Sequence, residues 1–260
     1  MWDPAQYLKF ADERSRPFYD LAGRIGAAGP AFVVDLGCGP GQLTASLAER
    51  WPHAEVLGID SSAEMIEAAK RAGYGGDALA GRLGFEVGDV RSWRPGRPVD
   101  VIISNAVLQW VPGHEDLLPS WADWLAPGGW LAFQVPGNFD QPSHAILRDL
   151  AAAERWRELL AGVEFNRQPG EPARYLDLLA RLGLAVDAWE TTYLHVLQGP
   201  DPVTAWYKGT GLRPALTALS PADADEFLKQ YGERVREAYP TEAYGTVLPF
   251  RRLFVVAHKT

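Results

Sequence analysis

Three acids and three glycines carry the chemistry that this sequence offers. Asp35 closes an apolar run, and Gly37, Gly39 and Gly41 follow it in "VVDLGCGPGQLT", a D-x-G-x-G-x-G spacing. Asp60 and Asp89 end the next two apolar runs in the same way. Glycines let a backbone approach a ligand closely, and a turn of this kind between strand and helix holds nucleotide-like cofactors. The spacing discriminates between two of them. A dinucleotide loop reads G-x-G-x-x-G, with a third glycine for close helix–strand packing and a pyrophosphate on the helix N-terminus. Here Gln42 holds that third position and the glycine comes one residue early, at Gly41. S-adenosylmethionine has no phosphate; it carries a sulfonium and an amino-acid tail, and Asp35 suits the tail's ammonium. Asp60 is placed to take both ribose hydroxyls through its two oxygens. Asp89 is placed to accept from an adenine amino group. Ser61, Val90 and Asn105, beside these strand ends, complete the expected cofactor-binding set.

These residues need strands that end together. "FVVDLG" (32–37), "EVLGIDS" (55–61), "LGFEVGDV" (83–90), "VDVIISNAV" (99–107) and "WLAFQVP" (130–136) read as five strands. Helical stretches alternate with them, at 41–51 and after Ser61, where Glu64 three residues on makes a capping box. A further helix within 114–129 is bent or started at Pro119 and stops at the Pro127-Gly128-Gly129 turn. Near-continuous apolar strands alternating with helices predict an α/β fold with a parallel sheet covered on both faces, its ligand crevice at the carboxyl edge. Beyond residue 136 the pattern loosens. Helices are expected at 144–160 and 172–183, strands at 186–197 and 250–259, and helical periodicity around 221–238. The organisation expected is an N-terminal helical lid segment over 1–31, a cofactor-binding core over 32–197, an inserted substrate lid over 198–249 and a final core strand over 250–260.

Composition limits the partners. The 260 residues are 47% hydrophobic and carry a net charge of −8, with a pI near 5.2. An acidic chain lacks the basic face that nucleic acid requires. An anionic ligand would need locally clustered arginines. The single cysteine, Cys38, rules out an internal disulfide and fits a reducing cytoplasm. The five histidines are too scattered for a metal site. No secretory signal or membrane-spanning run is evident, so a cytoplasmic protein, and in the simplest case a monomer, is expected.

"VVDLGCGPGQLT", "LGIDSSAEMIEAAK", "GDVRSW" and "ISNAVLQWVPGHEDL" resemble the class I S-adenosylmethionine-dependent methyltransferases. More narrowly, "YLKFADERSRPFYDL", "TTYLHVLQGPDPVTAWYKGTGLRP" and "FRRLFVVA" resemble the trans-aconitate 2-methyltransferase family nearly end to end. The resemblance implies a Rossmann-like, seven-stranded, mostly parallel sheet with an antiparallel last strand. It also implies methylation of one carboxylate of trans-aconitate, giving a monomethyl ester and S-adenosylhomocysteine. An alternative is a class I methyltransferase acting on another small organic acid or a hydroxylated metabolite.

A carboxylate nucleophile, with an ordinary pKa of about 4, is already ionised at neutral pH, so no catalytic base is expected. Positioning can supply the rate, since well-oriented reactants reach effective molarities of about 10⁵–10⁸ M. Binding a tricarboxylate calls for guanidinium groups, which take carboxylates bidentately. Arg14 and Arg16 in "ERSRP", Arg213 after Gly209 and Gly211, and Arg251 and Arg252 in "FRRLF" are the candidates. One of the N-terminal pair is an alternative partner for the cofactor's own carboxylate. Trp110, just past the fourth strand, and Tyr193 and Trp206 near the lid are candidate pocket walls. His144 is a further donor, or else the solvent-facing start of a helix. Trp51, Trp121, Trp124 and Trp130 are assigned to packing, and Cys38 to a place that needs a small side chain. Asn105-Ala106-Val107-Leu108 lacks the prolines of the box that amino-methylating relatives carry there, which argues against a nitrogen nucleophile.

Overall fold

The computed structural model describes residues 11–76, 79, 81–165 and 169–260, and the side chains of 11–14 are outside that description. The strands are β1 (Phe32–Leu36), β2 (Glu55–Asp60), β3 (Leu83–Val87), β4 (Val99–Asn105), β5 (Leu125–Pro136), β6 (Leu184–Leu197), β7 (Thr241–Glu242) and β8 (Gly245–Lys259). They form one sheet in the order β3-β2-β1-β4-β5-β8-β6, with the two-residue β7 paired to β8. Strands β1 to β5 run parallel, and the C-terminal strand runs antiparallel. Seven of these strands meet the expectation, and the short β7 is an addition.

The order carries the functional consequence. From β1 the chain winds outward to β2 and β3, then returns to β4 on the other side of β1. Connections leave β1 and β4 in opposite directions, which opens a crevice at their carboxyl ends. Strand β1 is buried at all five positions and pairs on both edges, with Asp35 level with Gly58 of β2 and Ile103 of β4. Its apolar β-branched residues suit a strand enclosed on both faces.

Helices α1 (Ala11–Gly23), α2 (Gln42–Arg50), α3 (Ala63–Ala72), α4 (Leu118–Trp124), α5 (Pro142–Ala152), α6 (Pro172–Arg181), α7 (Pro202–Lys208), α8 (Arg213–Ala218) and α9 (Pro221–Ala238) fill the connections. The cap of α3 is Ser62, not Ser61: its hydroxyl accepts from the Met65 N–H and donates to Glu64. Pro119 stands in the first turn of α4, where its missing N–H costs nothing. Strand β5 begins five residues earlier than its apolar run, because Pro127-Gly128-Gly129 forms a bulge inside it rather than a turn before it. The pairing with β4 shifts register between Val99 and Val101 there, with Gly128 at φ 75. Helix α5 is shorter than the 144–160 expected. It ends at Ala153 in extended backbone, and Trp156 is then buried with its indole donating to Gln230.

The chain forms two compact units. One, the sheet unit, comprises Ser15–Val135, Pro169–Glu190 and Leu253–Thr260. Its core joins Val34, Leu36, Ile102, Leu131 and Phe133 of the sheet to Trp121, Tyr175 and Leu179 of the helices. The other, the helical unit, comprises the described parts of Met1–Arg14, Pro136–Gln168 and Thr191–Arg252. It buries Leu147 and Leu150 of α5 with Trp206, Tyr207, Phe227 and Tyr231 of α7 and α9. The expected boundaries therefore move. Of the residues read from sequence as core, 136–165 and 191–197 supply side chains to an apolar cluster shared with the lid helices and group with them.

Candidate functional site

The glycine loop is built by backbone that other residues adopt only at a cost. Gly37, Gly39 and Gly41 have φ of +85°, +55° and +83°. A β-carbon on Gly37 would lie 2.1 Å from a Val107 methyl, and one on Gly41 would lie 2.6 Å from the Phe85 ring. At Gly39 it would meet nothing within 4 Å, so the loop is tight at its ends and open at its middle. Cys38 is 7% exposed and packs on Gly58, where a β-carbon would touch it at 2.9 Å. Burial pushes the Cys38 thiol up, and the charges of Asp35 and Asp60 push the same way. A thiol so protonated is no nucleophile, in keeping with a packing role.

The three acids have separate tasks. Asp35 is buried and accepts from the Thr44 hydroxyl at 2.6 Å, which ties α2 to β1. Burial raises its pKa to about 7; Thr44 opposes the rise and the nearby Asp60 charge adds to it. Asp60 receives the Gly39 N–H on one oxygen and the Ser62 N–H on the other, both at 2.9 Å. A carboxylate oxygen has two lone pairs, so each keeps one for a hydroxyl. Asp89 accepts from the Arg91 backbone N–H and is clasped by the Arg91 guanidinium through both oxygens. The hydrogen bond from Arg91 holds its carboxyl below the usual range. Val90 is buried beside it and Ser61 is exposed.

Beyond β4 the backbone is strained at a residue that sequence reading passed over. Ala106 has φ 57, a left-handed conformation that costs an L-residue about 1–2 kcal/mol. Its N–H donates to the Gln134 carbonyl at 2.9 Å, and its carbonyl accepts from Gln109 Nε2 at 2.6 Å. The strain turns Val107 against Gly37. Two buried acceptors, Asn105 Oδ1 and Gln109 Oε1, have no donor among the described residues. The sheet unit thus gathers carboxylates and open acceptors around an open-centred glycine loop. S-adenosylmethionine fits this set, since it brings a cation, an ammonium, ribose hydroxyls and an adenine amino group. Trp110 stands 39% exposed in the 3₁₀ turn that follows, Leu108–Trp110.

The helical unit holds a cluster of buried polar side chains. Asn138, Ser143, His144, His195 and Arg252 are each less than a tenth exposed. Asn138 Nδ2 donates to the Tyr207 hydroxyl at 2.7 Å, the Ser143 N–H donates to Tyr239 Oη, and Tyr231 Oη donates to the Ser143 carbonyl. His144 sets its ring edge-on to Tyr207 at 5.0 Å and lies 4.7 Å from Phe139. It is therefore an interior group, not a solvent-facing helix start. Burial lowers its pKa to about 4, helped by Arg148, so the imidazole is neutral at pH 7. Arg252 lies 4.5 Å from the Phe250 ring and lends its positive charge to the Tyr207 phenol.

The remaining candidates separate by burial. Trp206 and Tyr193 are 2% and 3% exposed, and both stack on His195. Arg213 opens α8 half-buried. Arg16 is exposed and lies 3.9 Å from Asp20 one turn along α1. The Arg14 side chain lies outside the described residues. Of the tryptophans assigned to packing, Trp51 and Trp121 are buried, and Trp130 stacks on His258 at 4.3 Å. Sequence reading missed Thr44, Ala106, Asn138, Ser143 and Tyr239. "PGNFDQPS" reads as a turn, so nothing in it marks Asn138 as buried. Among the described residues no three His, Cys, Asp or Glu could hold a metal ion, and no helix is long and apolar enough to cross a membrane.

A family model described as a methyltransferase domain matches residues 33–129. A trans-aconitate 2-methyltransferase of Streptomyces avermitilis is 57% identical, over 99% of this chain and 97% of its own. One of Rhodococcus jostii is 53% identical, over 99% of each. Among solved structures, the geranyl diphosphate C-methyltransferase of Streptomyces coelicolor, with S-adenosyl-L-homocysteine bound, aligns with a TM-score of 0.55 at 17% identity. That alignment covers 98% of this chain and 82% of the other. The [4+2]-cyclase SpnF aligns with a TM-score of 0.58 at 17% identity over 94% and 81%. At such identities the likeness is one of fold, and the fold hosts more than one chemistry.

Proposed function

Because the chain belongs to the trans-aconitate 2-methyltransferase family of S-adenosylmethionine-dependent enzymes, we propose that it methylates one carboxylate of trans-aconitate. The products are the monomethyl ester and S-adenosylhomocysteine. One observation carries the reading beyond the cofactor. The methyltransferase-domain match stops at residue 129, whereas the likeness to the curated relatives spans 99% of the chain, the helical unit included.

The residues divide the work. Gly37, Gly39 and Gly41 give the cofactor close backbone approach, Asp60 offers both oxygens to the ribose, and Asp35, Asp89, Val90 and Asn105 line the rest of its set. When bound, S-adenosylmethionine supplies a methyl carbon activated by its sulfonium. The substrate's attacking oxygen is already anionic at neutral pH, so no side chain has to remove a proton. What the protein supplies is orientation and exclusion of water. Arg252, Arg213 and the neutral donor His144 are assigned to the acid. Arg16, exposed and beside Asp20, is assigned to the surface. The enzyme acts without a metal, as a monomer in the cytoplasm.

The test is a product assay. Purified protein and S-adenosylmethionine are offered trans-aconitate, cis-aconitate, citrate, isocitrate, phenols and amines, and products are read by mass spectrometry. A base-labile monomethyl ester formed mainly from trans-aconitate is expected. Turnover of a phenol or amine alone would overturn the carboxylate reading and leave the cofactor reading standing.

A further inference from the structure

The loop that leaves β4 is held at both ends, and its far end hangs on a buried polar pair with no part in holding the cofactor. At the near end the Ala106 N–H donates to the Gln134 carbonyl, and Gln109 Nε2 donates to the Ala106 carbonyl. This end sets Val107 against Gly37, so it serves the cofactor loop. Trp110 follows in the 3₁₀ turn, its N–H donating to the Val107 carbonyl at 2.9 Å. At the far end the Val111 carbonyl accepts twice from His114, from the backbone N–H at 3.1 Å and from ring Nδ1 at 3.2 Å. A carbonyl oxygen can only accept, so Nδ1 carries the proton. The neutral ring then presents Nε2 as an acceptor, and the Tyr175 hydroxyl donates to it at 2.7 Å. Burial lowers the His114 pKa, which favours that neutral ring. Tyr175 is buried near the start of α6, with its ring edge-on to Phe133 of β5 at 5.2 Å. Beside this pair, Arg174 Nε donates to Glu115 Oε2 at 2.7 Å, an exposed contact that solvent screens.

Loops are ordinarily more mobile than the elements they join. Apolar packing alone would close this one, since Val111 and Leu117 lie against the sheet core. A buried, directional bond between two polar side chains does more, because it fixes where the chain after Trp110 points. Trp110 is 39% exposed, yet both its neighbours are tied, Gln109 to the Ala106 carbonyl and Val111 to His114. We propose that His114 and Tyr175 are a positioning pair that holds Trp110 as a fixed wall for the methyl acceptor at the carboxyl end of β4. The pair, the loop and Trp110 all belong to the sheet unit. Only the consequence for turnover rests on the carboxylate methyl transfer stated above. Neither residue of the pair touches cofactor or acceptor; they act through Val111. A misplaced wall costs rate more than affinity, because the attacking oxygen must lie in line with the methyl carbon and its sulfur.

Tyr175→Phe tests the pair: the ring stays against Phe133 and only the donor to Nε2 is lost. Leu179→Ala is the control, a cavity in the same helix, equally buried, that leaves the pair intact. The first readout is the Trp110 indole N–H in ¹⁵N-resolved NMR spectra of the S-adenosylhomocysteine complex, identified as the resonance missing from Trp110→Phe. It should be one line in wild type and in Leu179→Ala, and should shift or split in Tyr175→Phe. His114→Ala breaks the pair from the other side and should change the line in the same way. The second readout is turnover of trans-aconitate. In Tyr175→Phe and Trp110→Phe alike kcat should fall about tenfold, with KM within about threefold. The double variant should lose less than about 30-fold, because its second change acts on a wall already misplaced. Leu179→Ala should keep kcat within about threefold, and its loss should multiply with that of Trp110→Phe. An indole line unmoved in folded Tyr175→Phe and His114→Ala, or losses that multiply to about 100-fold in the double variant, overturns the pair's role. Wild-type protein that forms no ester from trans-aconitate would overturn the proposed reaction alone, and the indole line then decides the pair by itself.

Discussion

The two units solve opposite electrostatic problems with one acidic chain. The sheet unit collects Asp35, Asp60, Asp89 and the open acceptors of Asn105 and Gln109, a setting for a cation. The helical unit collects the buried guanidinium of Arg252 and the neutral imidazole of His144, a setting that we assign to an anion. With a net charge of −8 the chain as a whole repels its proposed substrate. Mean charge therefore says little about a ligand held at hydrogen-bond distance, because bulk charges are screened over about 8 Å at physiological salt. What decides is whether the local surplus is of donors or of acceptors.

The sharpest way to break this division is at the loop. Gly37→Ala adds a β-carbon that overlaps Val107 at 2.1 Å in a left-handed backbone. The affinity for S-adenosylhomocysteine should fall by about 100-fold or more in calorimetry, given about 1–2 kcal/mol for the backbone alone and the overlap besides. Unchanged cofactor affinity would remove the loop from the site. Next in size is Arg252→Gln, which keeps some hydrogen bonding but removes the buried charge. KM for trans-aconitate should rise roughly 10- to 100-fold, while the cofactor Kd moves less than about twofold. Equal losses of both affinities would dissolve the comparison.

Stability against pH separates the units more gently. Asp35 titrates near pH 7 in the folded protein, against 3.8 for the free side chain. Its contribution is complete below pH 3.8 and is lost as pH rises through 7, because ionising a buried carboxylate costs folding energy. Asp35→Asn should therefore gain melting temperature relative to wild type between pH 5 and about 8. His144 has the reverse sign, with a folded value of about 4 against 6.5. Its contribution is present above pH 6.5 and lost as pH falls through 4, so the wild-type advantage over His144→Gln should shrink between pH 7 and about 5. Parallel slopes for the two substitutions would contradict these burials. The smallest effect belongs to Arg16→Ala. An exposed i,i+4 pair contributes about 0–1 kcal/mol, so its melting temperature and KM should lie close to wild type.

The sheet half was the more legible in sequence because its constraints are local. A glycine at positive φ, an apolar five-residue strand and an acid at a strand end are each written within a few residues. Helix α9 was equally plain, since its periodicity over 221–238 coincides with Pro221–Ala238. Boundaries failed where a long-range partner intervened. Strand β5 absorbs Pro127-Gly128-Gly129 because β4 accommodates a bulge, and α5 stops early because Trp156 turns to Gln230. The buried cluster around Ser143 was the least legible. Asn138, Ser143, Tyr207 and Tyr239 come from segments up to about a hundred residues apart, so no local pattern brings them together.

The sequence alone determined the cofactor loop, the alternation that makes a parallel sheet, and the kinship of the chain from end to end. These are properties of spacing, and spacing survives in one dimension. Only the tertiary structure decided that Asp35 lies under the loop bound to Thr44, that Ala106 is strained, and that His144 is interior and neutral. It alone decided that residues 136–165 pack with the lid helices and that Asn138 meets Tyr207. Protonation, strain and hydrogen-bond balance depend on what surrounds a group, and those surroundings arrive from distant parts of the chain.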